Sequence, residues 1–219
     1  MPVREEKSVY KIMATRVDFK YNDGSRIFFT SDTHGNHESI IKFCNRPFQN
    51  VEEMNKTLIN NWNAKVGEDD LVFHLGDFAW GGSGVWKHFR EQLNGHIILI
   101  KGNHDVKQMS STTEMLFDNV TQQMYIEIEG QKIYLNHYPL LCYAGTYRSK
   151  DSLVWALNGH THIGPLSTNG LDFERMKLTF PTQYDVGVDM NNFEPISFHE
   201  LQAKMNYQIK KNTNMMCWI

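Results

Sequence analysis

Thiols, membrane-length apolar runs, concentrated charge and linkers are all scarce or missing in this chain. Its three cysteines, Cys44, Cys142 and Cys217, are odd in number and widely spaced. That excludes a disulfide framework and leaves reduced thiols. No apolar stretch nears the roughly 20 residues that span a bilayer. Met1 to Tyr10 is charged and carries no signal-peptide apolar region. The expected location is therefore cytoplasmic, with no membrane partner. The formal net charge is −3 at pH 7, too small for bulk attraction to nucleic acid or an acidic membrane surface. No Lys/Arg run marks a basic groove either. No repeat, low-complexity segment or Pro/Gly-rich linker divides the 219 residues. They suffice for a single α/β domain with a substantial core, with residues 1–25 as an N-terminal extension or hairpin. Two catalytic signatures are absent as well. There is no Gly-x-Ser-x-Gly elbow, and Gly81-Gly82-Ser83-Gly84 lacks the Lys-Ser/Thr of a phosphate-cradling loop, so it reads as a hinge or turn.

What is present is an alternation of strand-like and helix-like segments. Val17 to Tyr21 alternates apolar and polar residues, Asn22-Asp23-Gly24 signals a tight turn, and Ile27-Phe28-Phe29 reads as a buried strand. Helices are expected from about Glu38 to Cys44, from an Asn50 cap to about Val66, and from Val85 to Leu93. Leu71 to Leu75 and Ile97 to Ile100 are apolar strands between them. Later strands are expected at Met124 to Ile128, Lys132 to Leu135, Leu153 to Leu157 and Tyr184 to Val188, with a closing helix from Phe198 to Met205. Strands that alternate with helices and then cluster argue for an α/β sandwich of two packed sheets with helices outside.

Five short segments punctuate these strands: Asp32-Thr33-His34, Gly76-Asp77, Gly102-Asn103-His104-Asp105, His137 and Gly159-His160-Thr161-His162. They supply carboxylates, one amide and imidazoles, but no thiol. Open α/β sheets place their sites just after strands. On extended backbone, residues two apart point the same way, so Asp32 with His34, and His160 with His162, would each reach one ion. Each segment alone is a weak signal; the ordered set is strong. Such a donor mixture suits two divalent ions about 3.5–4 Å apart, where a bridging water or hydroxide can attack phosphorus in line.

With these motifs, from about Arg26 to about Met190, the chain resembles the calcineurin-like metallophosphoesterases, in particular the small single-domain bacterial and phage members. The resemblance implies a four-layer α/β/β/α sandwich of two mixed sheets, with a dinuclear metal site at strand C-terminal ends. It implies one ion held by Asp32, His34, Asp77 and His162, and a second by Asp77, Asn103, His137 and His160. It also implies a catalytic pair: His104 faces the scissile phosphate, and Asp105 hydrogen-bonds His104 to fix its tautomer. Manganese is the first choice for this mixed carboxylate, amide and imidazole set because the harder oxygen ligands fit it, with iron, nickel, cobalt or zinc as alternatives.

The implied reaction is hydrolysis of a small phosphate ester or nucleotide, with a diester favoured over a monoester because no cap domain interrupts the motifs. The alternatives are a catalytically silent metal-binding scaffold and a nuclease. Arg148 could fork onto a substrate phosphate, beside Asn103 and His104. His37 near the first motif reads as a helix start or a substrate contact. His74 reads as a packed or edge residue, and His88, His96 and His199 read as surface or structural residues. Trp80, Trp86 and Tyr138 are core or rim, with Trp80 placed to wall the site. Lys210-Lys211 is a solvated pair.

Overall fold

Runs of aliphatic and aromatic residues become strands in the computed structural model, which describes residues 18–143, 153–166 and 181–212. One mixed sheet contains β2 (Ile27–Thr30), β3 (Leu71–His74), β4 (His96–Ile100) and β5 (Asn119–Thr121), all parallel, with β10 (Ile196–Ser197) antiparallel at one edge. The other contains β1 (Phe19–Tyr21), β6 (Gln123–Ile128), β7 (Gln131–Asn136), β8 (Trp155–Asn158) and β9 (Gln183–Asp185), in that order across the sheet. β6 and β7 form a hairpin, and β7, β8 and β9 run parallel. The hairpin loop is Glu129-Gly130, both with positive φ, as a twist-matched two-residue turn requires.

The period-two alternation decides what faces what. Phe29, Phe73, Ile98 and Ile100 on one sheet and Ile126, Ile133, Leu135 and Leu157 on the other fall into one buried cluster between the sheets. Phe29 and Phe73 stack with ring centroids 5.5 Å apart. The alternate residues Phe28, Val72, Ile97 and Leu99 face outward. They pack against Trp62 of α2 (Val51–Lys65) and Trp86 and Phe89 of α3 (Ser83–Arg90). The outer face of the second sheet carries Tyr125, Tyr134 and Ala156, covered by Leu140 and Tyr143. The architecture is the expected α/β sandwich of two mixed sheets flanked by helices.

Helix ends follow side-chain chemistry. Asn50 accepts from the Glu53 amide at 2.9 Å and caps α2. Ser197 and Glu200 form a reciprocal capping box on α6 (Phe198–Lys211), which buries Phe198, Leu201 and Met205. That helix runs two turns past the expected Met205. Helix α1 (Glu38–Phe43) lies close to the expected span. The glycine run is half helix: α3 begins at Ser83, capped by Gly82. The turn after Tyr21 does not make a hairpin. β1 pairs with β6 and β2 with β3, both in parallel, so the turn carries the chain from one sheet to the other. The reason is burial: every residue of β2 is buried, which calls for a strand inside a sheet with both faces covered.

Among the described residues no helix is long and apolar enough to cross a membrane. Phe73→Ala should lower the unfolding free energy by about 3–5 kcal/mol. A guanidinium titration measures it, and a loss below about 1 kcal/mol would contradict the packing of Phe73 against Phe29.

Candidate metal centre

The expected site residues follow the C-terminal ends of β2, β3 and β4 in one sheet and β7 and β8 in the other. Backbone hydrogen bonds zip the loops together. The Asp32 amide donates to the Gly76 carbonyl at 2.9 Å, and the His34 amide to the Asp77 carbonyl at 3.0 Å. A parallel bridge joins Ser31 to Gly187, and the Val188 amide donates to the Ser31 carbonyl at 3.0 Å. This bridge ties the two sheets at the site.

The backbone carrying these side chains is not extended, contrary to the expectation from two-residue spacing. Asp32, His34, Asp77, His160 and His162 all have φ between 48° and 72°, the left-handed region that non-glycine residues seldom occupy. Glycine neighbours make the approach feasible. Gly76 has φ +99°, and a Cβ there would stand 2.4 Å from the Gly102 amide nitrogen.

The side chains converge on Asp77. Its Oδ1 accepts from the His104 amide at 2.9 Å. Its Oδ2 stands 3.6 Å from His34 Nε2, 3.6 Å from His137 Nε2 and 3.9 Å from His104 Nε2. Asp32 Oδ1 lies 3.8 Å from His162 Nε2. These separations are too long for hydrogen bonds. Donors about 2.1 Å from a shared ion stand roughly 3–3.5 Å apart. Asp32 Oδ1 and His34 Nε2 are buried with no hydrogen-bond partner among the described residues, a costly condition that a bound cation relieves. Asp32, His34 and His162 form one group with ligand atoms mutually within 4.8 Å, and Asp32, Asp77 and His137 form another. Asn103 Oδ1 meets His160 Nδ1 at 3.0 Å and His137 Nε2 at 3.1 Å. The residues present thus fit divalent cations.

Other groups fix how the imidazoles point. His137 Nδ1 lies 2.7 Å from the Leu75 carbonyl, which leaves Nε2 with its lone pair towards Asp77. His34 Nδ1 meets His37 Nδ1 at 3.1 Å, and the His37 ring stacks on Trp80 at 4.2 Å. So His37 supports His34. Trp80 walls the site as expected, and its ring also meets that of His104 at 5.2 Å. His162 Nδ1 meets Asp189 Oδ2 at 2.7 Å. Arg46 forks onto both oxygens of Asp189 at 2.8 Å and donates to the Asp32 and Thr33 carbonyls at 2.7 and 3.1 Å. Arg46 and Asp189 escaped the sequence reading. A loop arginine and an acid 143 residues apart share no spacing pattern; the glycine at 187, just ahead of Asp189, was the available hint.

Asp105 is a correction. It does not hydrogen-bond His104. Its Oδ2 accepts from the Asp77 and Gly102 amides at 2.7 and 2.8 Å, and its Oδ1 from the Phe78 amide at 3.0 Å. Asn103-His104-Asp105 opens α4 (Asn103–Gln108), where the third helical residue turns back to the helix start. Asp105 therefore shapes the loop around Asp77.

Charge is crowded here. Burial and then Asp32 push the Asp77 carboxyl up to about 7. Burial and then Asp32 raise Asp185 to about 6. Burial lowers His34 well below its ordinary value, helped by His162. For His162 burial works against the charged form, yet Asp32 and Asp189 prevail and hold its pKa well above the ordinary value. Burial also opposes ionisation of Asp189, and Arg46 outweighs it, bringing the carboxyl down to about 2.

The remaining candidates divide. His74 is fully packed, with Nε2 2.9 Å from Thr33 Oγ1. His96 pairs with Asp118, His199 with Glu129, and His88 is exposed. Trp86 is core, and Tyr138 is rim, its ring against those of His137 and His160. Arg148 lies outside the described residues.

A family model, calcineurin-like phosphoesterase, matches residues 25–195. The chain belongs to this family. Its chemistry is accordingly metal-dependent hydrolysis of phosphate esters. An uncharacterized protein of Methanocaldococcus jannaschii is 37% identical over 174 residues, 78% of this chain and 86% of that one. The gene 66 protein of Mycobacterium phage L5 is 29% identical over 165 residues, 63% of this chain and 78% of its own. A crystal structure of a protein of unknown function from Aquifex aeolicus superposes with a TM-score of 0.59 at 25% identity, covering 81% of this chain and 97% of the other.

Asp189→Ala leaves the Arg46 guanidinium buried without its counter-charge. Chemical denaturation should show a loss of about 3–5 kcal/mol. An unchanged midpoint would mean that the pair does not hold the first motif in place.

Proposed function

We propose that this phosphoesterase cleaves phosphodiesters at a dinuclear centre, with Asp32, His34, Asp77 and His162 around one ion and Asp77, Asn103, His137 and His160 around the other. The observation that carries the reading is the position of Asp77, whose single carboxylate faces imidazoles of both groups. When bound, divalent ions of this kind supply an acidified water and neutralise phosphoryl oxygens. Asp77 and Asp32 hold the position of positive charge. His137 and His162 are oriented by Leu75 and Asp189 so that Nε2 of each faces Asp77 or Asp32.

His104 has a separate part. Its backbone amide is fixed to Asp77, while its ring is partly exposed at the mouth. Burial and then Lys107 lower its pKa, which makes the protonated ring a better proton donor. In hydrolysis the water oxygen joins phosphorus, the ester P–O bond breaks, and Nε2 of His104 delivers a proton to the departing oxygen. Two recesses support a diester over a monoester. One, of about 270 Å³, lies over the centre itself, lined by Asp77, Asn103, His104, His160 and His162, and extends to Ile40, Phe43 and Cys44. The other, of about 310 Å³, lies beside His137, and the two share Asn103. A diester has two arms to place. Manganese suits the carboxylate and amide oxygens among the donors, and the lack of a disulfide at Cys44 or Cys142 fits a reducing cytoplasm.

Chelator-treated protein should lose hydrolysis of bis(p-nitrophenyl) phosphate and recover it with manganese. Turnover that survives chelation would sink the reading. His104→Ala should slow a diester with an alkoxide leaving group about 10²–10⁴-fold and a p-nitrophenolate ester far less. Equal losses on both would remove His104 from the acid role.

A further inference from the structure

The recess beside His137 has a lining suited to one kind of chemical group. It is bordered by Lys101, Gln122, Gln123, Asn136 and Tyr138, and it joins the metal centre through Asn103. Among the described residues no carboxylate lines it, so a cationic arm would find no counter-charge there. It is not an apolar slot for an acyl chain either, because carboxamides make up much of its wall. Its volume of about 310 Å³ is at the lower end of small-ligand sites.

Gln123, Asn136 and Tyr138 in this lining are held by their neighbours. Gln123 and Asn136 are direct cross-strand partners at the end of the β6–β7 hairpin. Tyr134 Oη donates to Gln123 Oε1, and the Tyr138 amide donates to Asn136 Oδ1 at 2.9 Å. With its oxygen taken, Gln123 offers its NH₂ group. Gln122 makes no hydrogen bond among the described residues and is exposed. Tyr138 is 44% exposed, yet its ring is steadied against His137 and His160, with centroids at 5.0 and 4.6 Å. An exposed, steadied aromatic ring next to carboxamides is a means of stacking a flat polar ring and hydrogen-bonding its edge. Lys101, paired with Glu114, adds a further ammonium donor.

We infer that this recess is a nucleobase subsite, and that the arm it takes is one nucleoside of a phosphodiester between two nucleosides. Tyr138 stacks the base, while Gln122 and Gln123 hydrogen-bond its edge. The phosphate then lies at Asn103, where the recess meets the metal centre. This rests on the diesterase reading, with its own substrate class and its own residues.

The test uses the dinucleoside monophosphate ApA with the full chain. Saturation-transfer NMR on chelator-treated protein reads the recess without turnover. The adenine protons should show transfer from wild type, and Tyr138→Ala should weaken ApA binding by about tenfold. With manganese present, Tyr138→Ala and Gln122→Ala should lower kcat/KM for ApA, relative to that for bis(p-nitrophenyl) phosphate, by about fivefold or more. Silent adenine protons, or a substrate ratio unmoved by both variants, would overturn the subsite even if bis(p-nitrophenyl) phosphate is cleaved. Transfer confined to the sugar of a glycosyl phosphodiester, with adenine silent, would overturn it too. Failure of every ester with every metal would instead remove the hydrolase reading, and the NMR result would still decide the recess.

Discussion

The geometry of the centre depends on a carboxylate that touches only backbone. Asp105 draws together the amides of Asp77, Phe78 and Gly102. That clamp acts with the His34 amide on the Asp77 carbonyl and the His104 amide on Asp77 Oδ1 to keep Asp77 in its left-handed conformation. A buried carboxylate is expensive, and three N–H donors offset the cost. Arg46 performs the matching task for the first motif, where its guanidinium holds the Asp32 and Thr33 carbonyls and Asp189. Two charged residues outside the cation group thus impose the shape on those inside it.

This explains why so much unfavourable conformation gathers in one place. Left-handed residues cost of order 1–3 kcal/mol each and persist only where surroundings over-determine them. Here the surroundings are parallel strands on two sheets, whose burial between and outside the sheets supplies the stability. Burial first, and then the like charge of Asp32, raise the Asp77 carboxyl. The electrostatic cost of assembling the site and its capacity for a cation are the same property seen twice.

Much of this was legible beforehand, and the rest was hidden for identifiable reasons. Helix α2 announced itself through the Asn50 cap and the spacing of Met54, Leu58 and Trp62. The motif residues were legible because imidazole and carboxylate at strand ends have few structural uses. Asp105 was visible but misread: its partners are backbone amides, which every residue has and which leave no mark in composition. Arg46 and Asp189 were missed because their pairing is purely tertiary. The left-handed φ values contradicted a reading based on strand geometry, since the residues lie just beyond the last strand position. β1 and β2 looked like a hairpin because a turn signal reports local reversal and is blind to which sheet each strand joins. The amide-lined recess at the β6–β7 end was equally invisible, for no motif marks Gln122, Gln123 or Asn136.

The Ser31–Gly187 bridge has a thermodynamic consequence. It joins loops from the two sheets at the point where the candidate ligand atoms meet. The binding atoms therefore come together only in the assembled sandwich, and an unfolded chain offers no comparable set. Mass action then makes occupancy a stabilising force for the whole fold, worth about 2.7 kcal/mol when the free ion stands at 100 times its dissociation constant. The supply of metal in the surroundings becomes a control on the lifetime of the folded protein as well as on its chemistry.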